Sequence, residues 1–411
     1  MTTSIRLVLA ALLAAGTAHA QIATPQERAV FAGRVDSLVH AYMTESHAPG
    51  VSVAVIRGRD TLVNAGFGLA DIAAHRQATP ATIYEIGSNT KQFTSAAIMR
   101  LAEEQKLSID DDVSKYLPQI PLHGNRVTIR ELLTHTSGIH SYTEVEAWRA
   151  HWAEDLTPDS IMGFVAKDTF DFAPGTRFKY DNSGYILLGM VIEKVSGEPY
   201  AKYLEKEFFE PLGLTHTSYC PSHTTDPAFA AGYSKKDDGV VPHEYLSLTQ
   251  PYAAGSLCST VGDFVMWQRD LAAGKVVSPQ SFTLMTTAAT LTNVQPIRYG
   301  FGLFPGDVLG HKDFSHSGVI PGYTTPTTGI DSANLVPTRG ATPPADPTSS
   351  DPASSLVTRV RTMDSPRLVP PSTEKSSGKP TPSSETTTDS RSPSLTKCRW
   401  TTPPPSPRAG G

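Results

Sequence analysis

The sequence lacks the short motifs that mark several common enzyme classes. It has no Gly-x-Ser-x-Gly nucleophile elbow, no His-Glu-x-x-His zinc motif, no Cys-x-x-Cys pair and no Walker phosphate-binding loop. Cysteine is scarce, and Cys220, Cys258 and Cys398 are too far apart in sequence for a thiol redox pair or a zinc knuckle. A Cys220–Cys258 disulfide, formed in an oxidising compartment, and two buried free thiols remain as alternatives.

Clusters of positive charge and long apolar runs are also lacking. The 411 residues have a net charge of -5, and residues 21–323 alone hold 24 basic and 33 acidic side chains, a net charge of -9. This balance, without a Lys/Arg cluster, argues against a nucleic-acid partner. No stretch after the N-terminus is long and apolar enough to span a membrane.

The N-terminus shows the three parts of a secretory signal peptide. Arg6 closes a short basic region, residues 7–16 are an apolar run, and Ala18-His19-Ala20 matches the cleavage pattern. This run is too short to cross about 30 Å of hydrocarbon. We therefore predict a signal peptide at residues 1–20 and an exported chain, periplasmic or secreted, without a membrane span.

The last fifth of the chain has little that could form a core. Residues 324–411 contain 16 of the 33 prolines, 32 serines and threonines, and a single aromatic residue, Trp400. Such a segment cannot bury enough apolar surface to offset its ordering entropy. We predict one folded domain at residues 21–323, followed by a disordered, Pro/Ser/Thr-rich tail at 324–411.

Within the domain, the pattern predicts early strands, a helical region and late strands. An amphipathic helix at 28–43 precedes a hairpin at 51–72, and helical spacing then predicts an all-helical region at about residues 85–295. Strand-like stretches return at 299–304 and 314–320. The sequence thus predicts an α/β (α+β) fold, in which an antiparallel sheet flanked by helices carries a largely helical inserted region and a cleft lies where the two meet.

Ser88 and Lys91 form the first candidate catalytic pair. Ser-x-x-Lys occurs four times, and three of these matches lie in the predicted tail. The motif alone is therefore uninformative, and only its sequence context singles out Ser88 and Lys91. Ser88 follows Ile86-Gly87 at a predicted helix start, and Lys91 is one turn away on the same face. A serine hydroxyl needs an adjacent base, and lysine can serve only where its surroundings favour the neutral amine.

Two later motifs supply the remaining candidates. Tyr180-Asp181-Asn182 is the only Tyr-x-Asn, and a Tyr180 phenolate near Lys91 could take the serine proton while Asn182 holds a substrate amide. His316-Ser317-Gly318 is the only Lys/His-Ser/Thr-Gly, in a predicted strand that could offer backbone N–H groups to an oxyanion. The alternative for each motif is a purely structural tyrosine or histidine.

In order and spacing, the three motifs resemble those of the penicillin-recognising serine hydrolases, namely class C β-lactamases, D-alanyl-D-alanine carboxypeptidases and related esterases. Subsidiary segments at 132–138, 184–197, 211–214 and 254–257 agree, so the resemblance covers about residues 29–323. It implies a β-lactamase/transpeptidase-like fold and an exported hydrolase that forms an acyl-enzyme on a serine.

The resemblance also implies roles for individual residues. Ser88 would be the nucleophile, with Lys91 and Tyr180 as the general base pair, and the N–H groups of Ser88 and Val319 would form the oxyanion hole. The substrate contacts would be Asn182, His316, Ser317, Gly318 and Val319. No metal ion or organic cofactor is implied, and the substrate would be a D-amino-acid peptide, an ester or a β-lactam.

Two features depart from that family. Histidine replaces the lysine that β-lactamases of this class usually carry in the third motif, which favours carboxypeptidase, D-amino-acid peptidase or esterase activity, because neutral imidazole is a weak carboxylate partner. The two strands and the helix that follow this motif in the family are not visible after residue 323. We therefore hypothesise a shift in reading frame near Thr324, with a genuine mucin-like or wall-spanning tail as the alternative.

Loss of those strands would leave the hairpin and the third-motif strand without neighbours, so we expect a poorly stable, weakly active chain. Two other functions therefore stay open. One is a non-catalytic cell-wall or ligand-binding protein that keeps the cleft, and the other is the inactive product of a frameshifted gene. The intact set of Ser88, Lys91 and Tyr180 argues against the binding protein but not against a recent frameshift.

Overall fold

The computed structural model describes residues 24–330, except 59, 168, 169, 238 and 309, and the backbone of residues 355–361. All of these belong to one compact unit. The predicted signal peptide and most of the predicted tail lie outside the described residues. Within the described part of the chain, no helix is long and apolar enough to cross a membrane.

The strands form one large sheet and two small ones. In chain order they are β1 (Gly50–Arg57), β2 (Asp60–Asp71), β3 (Arg76–Gln77), β4 (Tyr84–Glu85), β5 (Ser218–Tyr219), β6 (Tyr233–Lys236), β7 (Gly239–Pro242), β8 (Leu257–Ser259), β9 (Phe304–Val308), β10 (His311–Ile320), β11 (Tyr323–Ile330) and β12 (Ser355–Arg361). The large sheet is antiparallel throughout, in the order β3-β2-β1-β12-β11-β10-β9. The small sheets are β4-β8-β5 and β6-β7.

Helices fill most of the chain between β4 and β9. The helices, including the one before β1, are α1 (Pro25–Ser46), α2 (Thr90–Glu103), α3 (Ile129–Leu133), α4 (Glu146–Arg149), α5 (Pro158–Val165), α6 (Asn182–Ser196), α7 (Tyr200–Leu204), α8 (Glu210–Leu212), α9 (Tyr252–Gly255), α10 (Val261–Ala272) and α11 (Pro279–Thr286). Several start where the sequence supplies a cap. Thr24 and Thr128 each form a capping box with a glutamate three residues on, which satisfies free N–H groups at the helix start.

Helices cover both faces of the large sheet. Val51, Val53 and Val55 of β1 pack in one apolar cluster with Val35 and Val39 of α1. The alternate β1 side chains belong to the main core, on the side where α10 packs. This double burial explains the nearly continuous apolar sequence of β1. The predicted architecture, an antiparallel sheet flanked by helices, is confirmed.

The region from 85 to 295 is not wholly helical, which corrects one expectation. It contains β5 to β8, each two to four residues long, and strands this short show no readable alternation. A disulfide joins Cys220, just after β5, to Cys258 in β8, with a Cα–Cα distance of 5.2 Å. The structure thus decides between the two alternatives for these cysteines. The strand predicted at 299–304 is also displaced, because β9 begins only at Phe304.

The expectation that the sheet lacks its last two strands is wrong. β11 pairs with β10 along its whole length, from Ile320↔Tyr323 to Asp313↔Ile330, and β12 lies between β1 and β11. The sequence shows no clear strand pattern here, because threonines occupy two of the four inward positions of β11 and Pro326 lies in the middle of the strand. The predicted instability therefore loses its premise. The helix expected after these strands lies outside the described residues, and the frameshift stays a hypothesis.

Candidate active site

Ser88 lies in a single 3₁₀ turn that leads directly into α2. Gly87 has φ +50°, and a Cβ there would lie 3.1 Å from the backbone nitrogen of Val319. On the facing strand, a Cβ at Gly318 would overlap the carbonyl oxygen of Ile86. Because both positions are glycine, β10 can approach the turn closely, and this brings Val319 against Gly87, the residue before the serine.

Lys91 is fully buried, and its Nζ has three polar neighbours. They are Ser88 Oγ at 3.1 Å, Asn182 Oδ1 at 2.9 Å and the carbonyl oxygen of Ala254 at 2.8 Å. Burial lowers the pKa of Lys91 well below its usual value, with a smaller opposing effect from Asp181. A neutral amine has two N–H donors and one lone pair. The two oxygen acceptors match the donors, which leaves the lone pair for the serine hydroxyl.

Tyr180 lies between these groups and the third motif. Its ring centroid is 4.8 Å from Lys91 Nζ, and its hydroxyl is buried without a hydrogen bond of good geometry among the described residues. Burial raises the pKa of Tyr180 above its usual value, and the nearby Ser88 hydroxyl lowers it only in part. The resting side chain is therefore a phenol rather than a phenolate.

Asp181 caps helix α6, and Asn182 is the first residue of that helix. The Asp181 carboxyl group accepts hydrogen bonds from the backbone N–H groups of Ser183 and Gly184, at 2.7 and 2.9 Å. Burial raises its pKa to about 8, although those N–H groups and Lys91 oppose the shift. Asn182 donates its N–H to Ser141 Oγ and its Nδ2–H to Thr143 Oγ1, at 3.1 and 3.3 Å, which leaves Oδ1 for the lysine.

His316 lies beside this cluster, and both nitrogens of its imidazole make hydrogen bonds within the protein. Nδ1 donates to the carbonyl oxygen of Ser317 at 3.0 Å, and Nε2 is 3.1 Å from the Tyr299 hydroxyl. Burial and, to a smaller extent, the charge of Lys91 lower the pKa of His316 to about 3, so the ring is neutral. Nε2 therefore accepts a hydrogen bond from the Tyr299 hydroxyl. The side chains of Ser317 and Val319, by contrast, are exposed.

Strand β11 supports the 3₁₀ turn Gly87–Asn89, the predicted nucleophile turn, through side-chain hydrogen bonds. Asn89, next to the serine, donates to the carbonyl oxygen of Thr325 at 2.6 Å and accepts from Thr327 Oγ1 at 3.1 Å. Thr325 Oγ1 also donates to the carbonyl oxygen of Ile86 at 3.3 Å. All three side chains are buried. The two threonines lie in the segment that the sequence analysis predicts to be a disordered tail.

Comparison with known proteins identifies the family. A family model described as Beta-lactamase matches residues 35–339, about three quarters of the chain. The chain belongs to the Beta-lactamase family. The putative penicillin-binding protein PbpX of Bacillus subtilis (strain 168) is 32% identical over 282 residues, which are 69% of this chain and 67% of that protein. The predicted family is thus confirmed.

Comparison with solved structures supports the same fold. The octameric penicillin-binding protein homologue from Pyrococcus abyssi has a TM-score of 0.67 and 32% identity, over 80% of this chain and 73% of that one. A D-stereospecific amidohydrolase from Streptomyces sp. has a TM-score of 0.63 and 27% identity, over 79% of this chain and 92% of that one. Proteins of this family are serine hydrolases.

A second polar cluster lies near the site of this Beta-lactamase-family chain. One ligand atom each from His140, Glu144 and Asp171 lie within 4.8 Å of one another, a spacing that suits a metal ion. However, Lys179 Nζ lies 2.6 Å from a carboxylate oxygen of Glu144 and of Asp171. The ammonium group thus already balances the carboxylates, and the cluster serves as an ion-paired link between the loops.

The structure brings most of the predicted site residues together and adds others. Ser88, Lys91 and Asn182 are joined by hydrogen bonds, and Tyr180 and His316 pack beside them at a ring distance of 6.2 Å. The residues that the sequence analysis missed are Asn89, His135, Ser141, Thr143, Asp181, Ala254 and Tyr299. A single sequence carries no signal that distinguishes these residues from residues that serve only packing.

Proposed function

We propose that this chain is an exported serine hydrolase that forms an acyl-enzyme on Ser88 and acts on peptide, ester or lactam carbonyls. The observation that carries the proposal is the surrounding of Lys91. A fully buried lysine with a lowered pKa, 3.1 Å from a serine hydroxyl, is arranged as a base and not as a surface charge.

The first step transfers the Ser88 proton to Lys91 while Oγ forms a bond to the substrate carbonyl carbon. The carbonyl oxygen becomes an oxyanion and Lys91 becomes an ammonium ion. Asn182 Oδ1 and the Ala254 carbonyl oxygen hold the other two protons of that ammonium at 2.9 and 2.8 Å. The geometry needed for the ionised state is thus present before the reaction begins.

Tyr180 would deliver the proton to the leaving group. Because its pKa is raised, the phenol keeps its own proton at rest and is a poor first base. It can pass a proton to the leaving nitrogen or oxygen and be reprotonated from Lys91, whose Nζ lies 4.8 Å from its ring centroid. The bond from the carbonyl carbon to the leaving atom then breaks. Water reverses these proton transfers when it hydrolyses the acyl-enzyme.

Two backbone N–H groups would stabilise the oxyanion. Strand β9 pairs with β10 only as far as Ser315, so the following edge of β10 lies against the nucleophile turn. The close approach of Val319 to Gly87, the residue before Ser88, supports an arrangement in which the Val319 and Ser88 N–H groups point to one oxygen. Two convergent N–H groups at a helix start form the usual kind of oxyanion hole.

For the substrate, we propose a D-amino-acid peptide, amide or ester in preference to a β-lactam. The similar amidohydrolase from Streptomyces sp. is described as D-stereospecific. The neutral, internally bonded imidazole of His316 offers no positive charge to a substrate carboxylate. Substrates whose recognition does not depend on a free carboxylate should therefore react best.

The test is the intact mass of the secreted full-length chain before and after a serine-directed fluorophosphonate, with Ser88→Ala as control. We expect a mature chain that starts at Gln21 and gains one adduct, which the variant does not form. A hydrolysis screen with D-alanyl peptides, amides, esters and a β-lactam would follow. A folded chain that forms no adduct would contradict the proposal and favour a non-catalytic binding protein or an inactive product.

A further inference from the structure

Tyr180 lies in a stretch without regular structure, so something other than a helix or strand ladder must hold it. Residues 177–181 form neither helix nor strand, and α6 begins only at Asn182. The side chain nonetheless has to keep a fixed distance to Ser88 for proton transfer. The support comes from His135, in the turn that follows α3.

His135 binds the backbone on both sides of Tyr180. Its carbonyl oxygen accepts the N–H of Lys179 at 3.0 Å, and its Nδ1 accepts the N–H of Asp181 at 3.0 Å. Its ring also packs against the Tyr180 ring, with centroids 4.3 Å apart and planes at 36°. One residue thus fixes the backbone before the tyrosine, the backbone after it and the face of its ring.

The imidazole is held neutral in this position. Burial lowers the pKa of His135 well below its usual value, and Lys91 and His316 lower it further. Because Nδ1 accepts a hydrogen bond, the proton of the neutral ring is on Nε2. That Nε2 has no hydrogen-bond partner among the described residues, although the ring is 1% exposed.

The unpartnered Nε2–H indicates that packing is not the reason for a histidine here. A leucine or phenylalanine would fill similar space without burying an unsatisfied N–H, which costs about 1–3 kcal/mol. Neither has an acceptor for the Asp181 N–H. The acceptor matters beyond Tyr180, because Asp181 also caps α6, whose first residue, Asn182, contacts Lys91.

We propose that His135 is a positioning residue of the acylation step, which fixes the Tyr180 phenol and the start of α6 relative to Ser88. This inference rests on the proposed function. It predicts that the hydrogen bond at Nδ1, rather than the bulk of the ring, is what acylation requires.

Two substitutions separate the acceptor from the bulk. In His135→Asn, Oδ1 takes nearly the place of Nδ1, and asparagine tolerates the left-handed backbone, φ +58°, at this position. In His135→Gln the amide is displaced by one bond and the acceptor is lost there. Ser137→Ala, a change at another buried residue of the same turn, is the matched control.

The measurement is the rate of fluorophosphonate labelling of the full chain, resolved into kinact and KI, with urea unfolding of each variant. We expect kinact to fall about 10²-fold in His135→Gln with KI unchanged, because a displaced base or acid slows the step but not the encounter. We expect His135→Asn and Ser137→Ala to stay within about tenfold of the unmodified chain.

A double-mutant cycle with Tyr180→Phe completes the test. Once the phenol is absent, His135→Gln should reduce kinact by clearly less than about 10²-fold, because the part of the loss that acts through Tyr180 is already gone. Full additivity of the two changes, or equal losses in His135→Asn and His135→Gln, would overturn the inference. If His135→Gln does not fold, kinact of a folded His135→Asn decides alone. Absence of labelling in the unmodified chain would instead contradict the proposed function.

Discussion

Strand β11 should be as important to the nucleophile turn as the helix that carries it, and Asn89→Ala tests this. The Asn89 amide links three buried groups: the Thr325 carbonyl oxygen, Thr327 Oγ1 and Gln92 Nε2, at 2.6, 3.1 and 2.9 Å. All four side chains are at most 2% exposed, so water cannot replace the amide without rearrangement.

The magnitude follows from what alanine leaves unpaired. Thr327 Oγ1 keeps an acceptor, because it also lies 3.0 Å from the carbonyl oxygen of His316. The Thr325 carbonyl oxygen and Gln92 Nε2 lose the amide. At about 1–3 kcal/mol for each of these two buried polar groups, the free energy of unfolding should fall by about 2–6 kcal/mol.

The assay is equilibrium urea unfolding of the full chain, followed by tryptophan fluorescence. Asn125→Ala is the control, because its amide makes one hydrogen bond, of 3.1 Å, to Leu122 in a partly buried turn. We expect a loss below about 1 kcal/mol for the control. If Asn89→Ala changes the unfolding free energy no more than the control does, β11 does not support the turn.

Three further outcomes follow from the same structure. The Cys220–Cys258 disulfide spans a sequence separation of 38, so replacing both cysteines by serine should lower the unfolding free energy by about 4 kcal/mol in the chain-entropy model. A urea midpoint shift worth less than about 1 kcal/mol would contradict this. Gly87→Ala should reduce fluorophosphonate labelling about 10²-fold while leaving the fold intact, since a Cβ there presses on β10; labelling at the normal rate would disprove the close approach. Burial raises the pKa of Glu85 from 4.5 to about 8, so the folded state binds the extra proton and stability should fall as pH rises from 4.5 to 8 relative to Glu85→Gln. Parallel pH profiles of the two chains would show that this carboxyl does not titrate as inferred.

Periodicity predicted the early elements well. The amphipathic helix predicted at 28–43 lies within α1, and the predicted hairpin is β1 and β2. These elements are local: their hydrogen bonds connect near neighbours, and their apolar spacing is visible in one segment. Strands β5 and β8 are not predictable from one segment, because their partners are distant in sequence. Strands β6 and β7 form a local hairpin, but at four residues each they are too short to show a readable alternation.

The error at the end of the sheet has a specific cause. The composition of the tail and the threonines of β11 predict a polar, exposed segment. However, Thr325 and Thr327 are buried, because their hydroxyl groups donate hydrogen bonds to the Ile86 carbonyl oxygen and to Asn89 Oδ1. Threonine fits a strand as well as valine when its hydroxyl is paired. The pairing depends on the nucleophile turn, more than 230 residues earlier, and no local pattern reports it.

The sequence by itself predicted the family, which the comparisons confirm, and it predicted the contact between Ser88 and Lys91, because the two residues share one helical turn and their reach is set by local geometry. It could not determine which group is the base. The low pKa of Lys91 and the high pKa of Tyr180 arise from burial among residues brought from distant segments. Only the tertiary structure placed His135 against Tyr180 and β11 behind Ser88, since those contacts exist only when the sheet and the helical region have packed together.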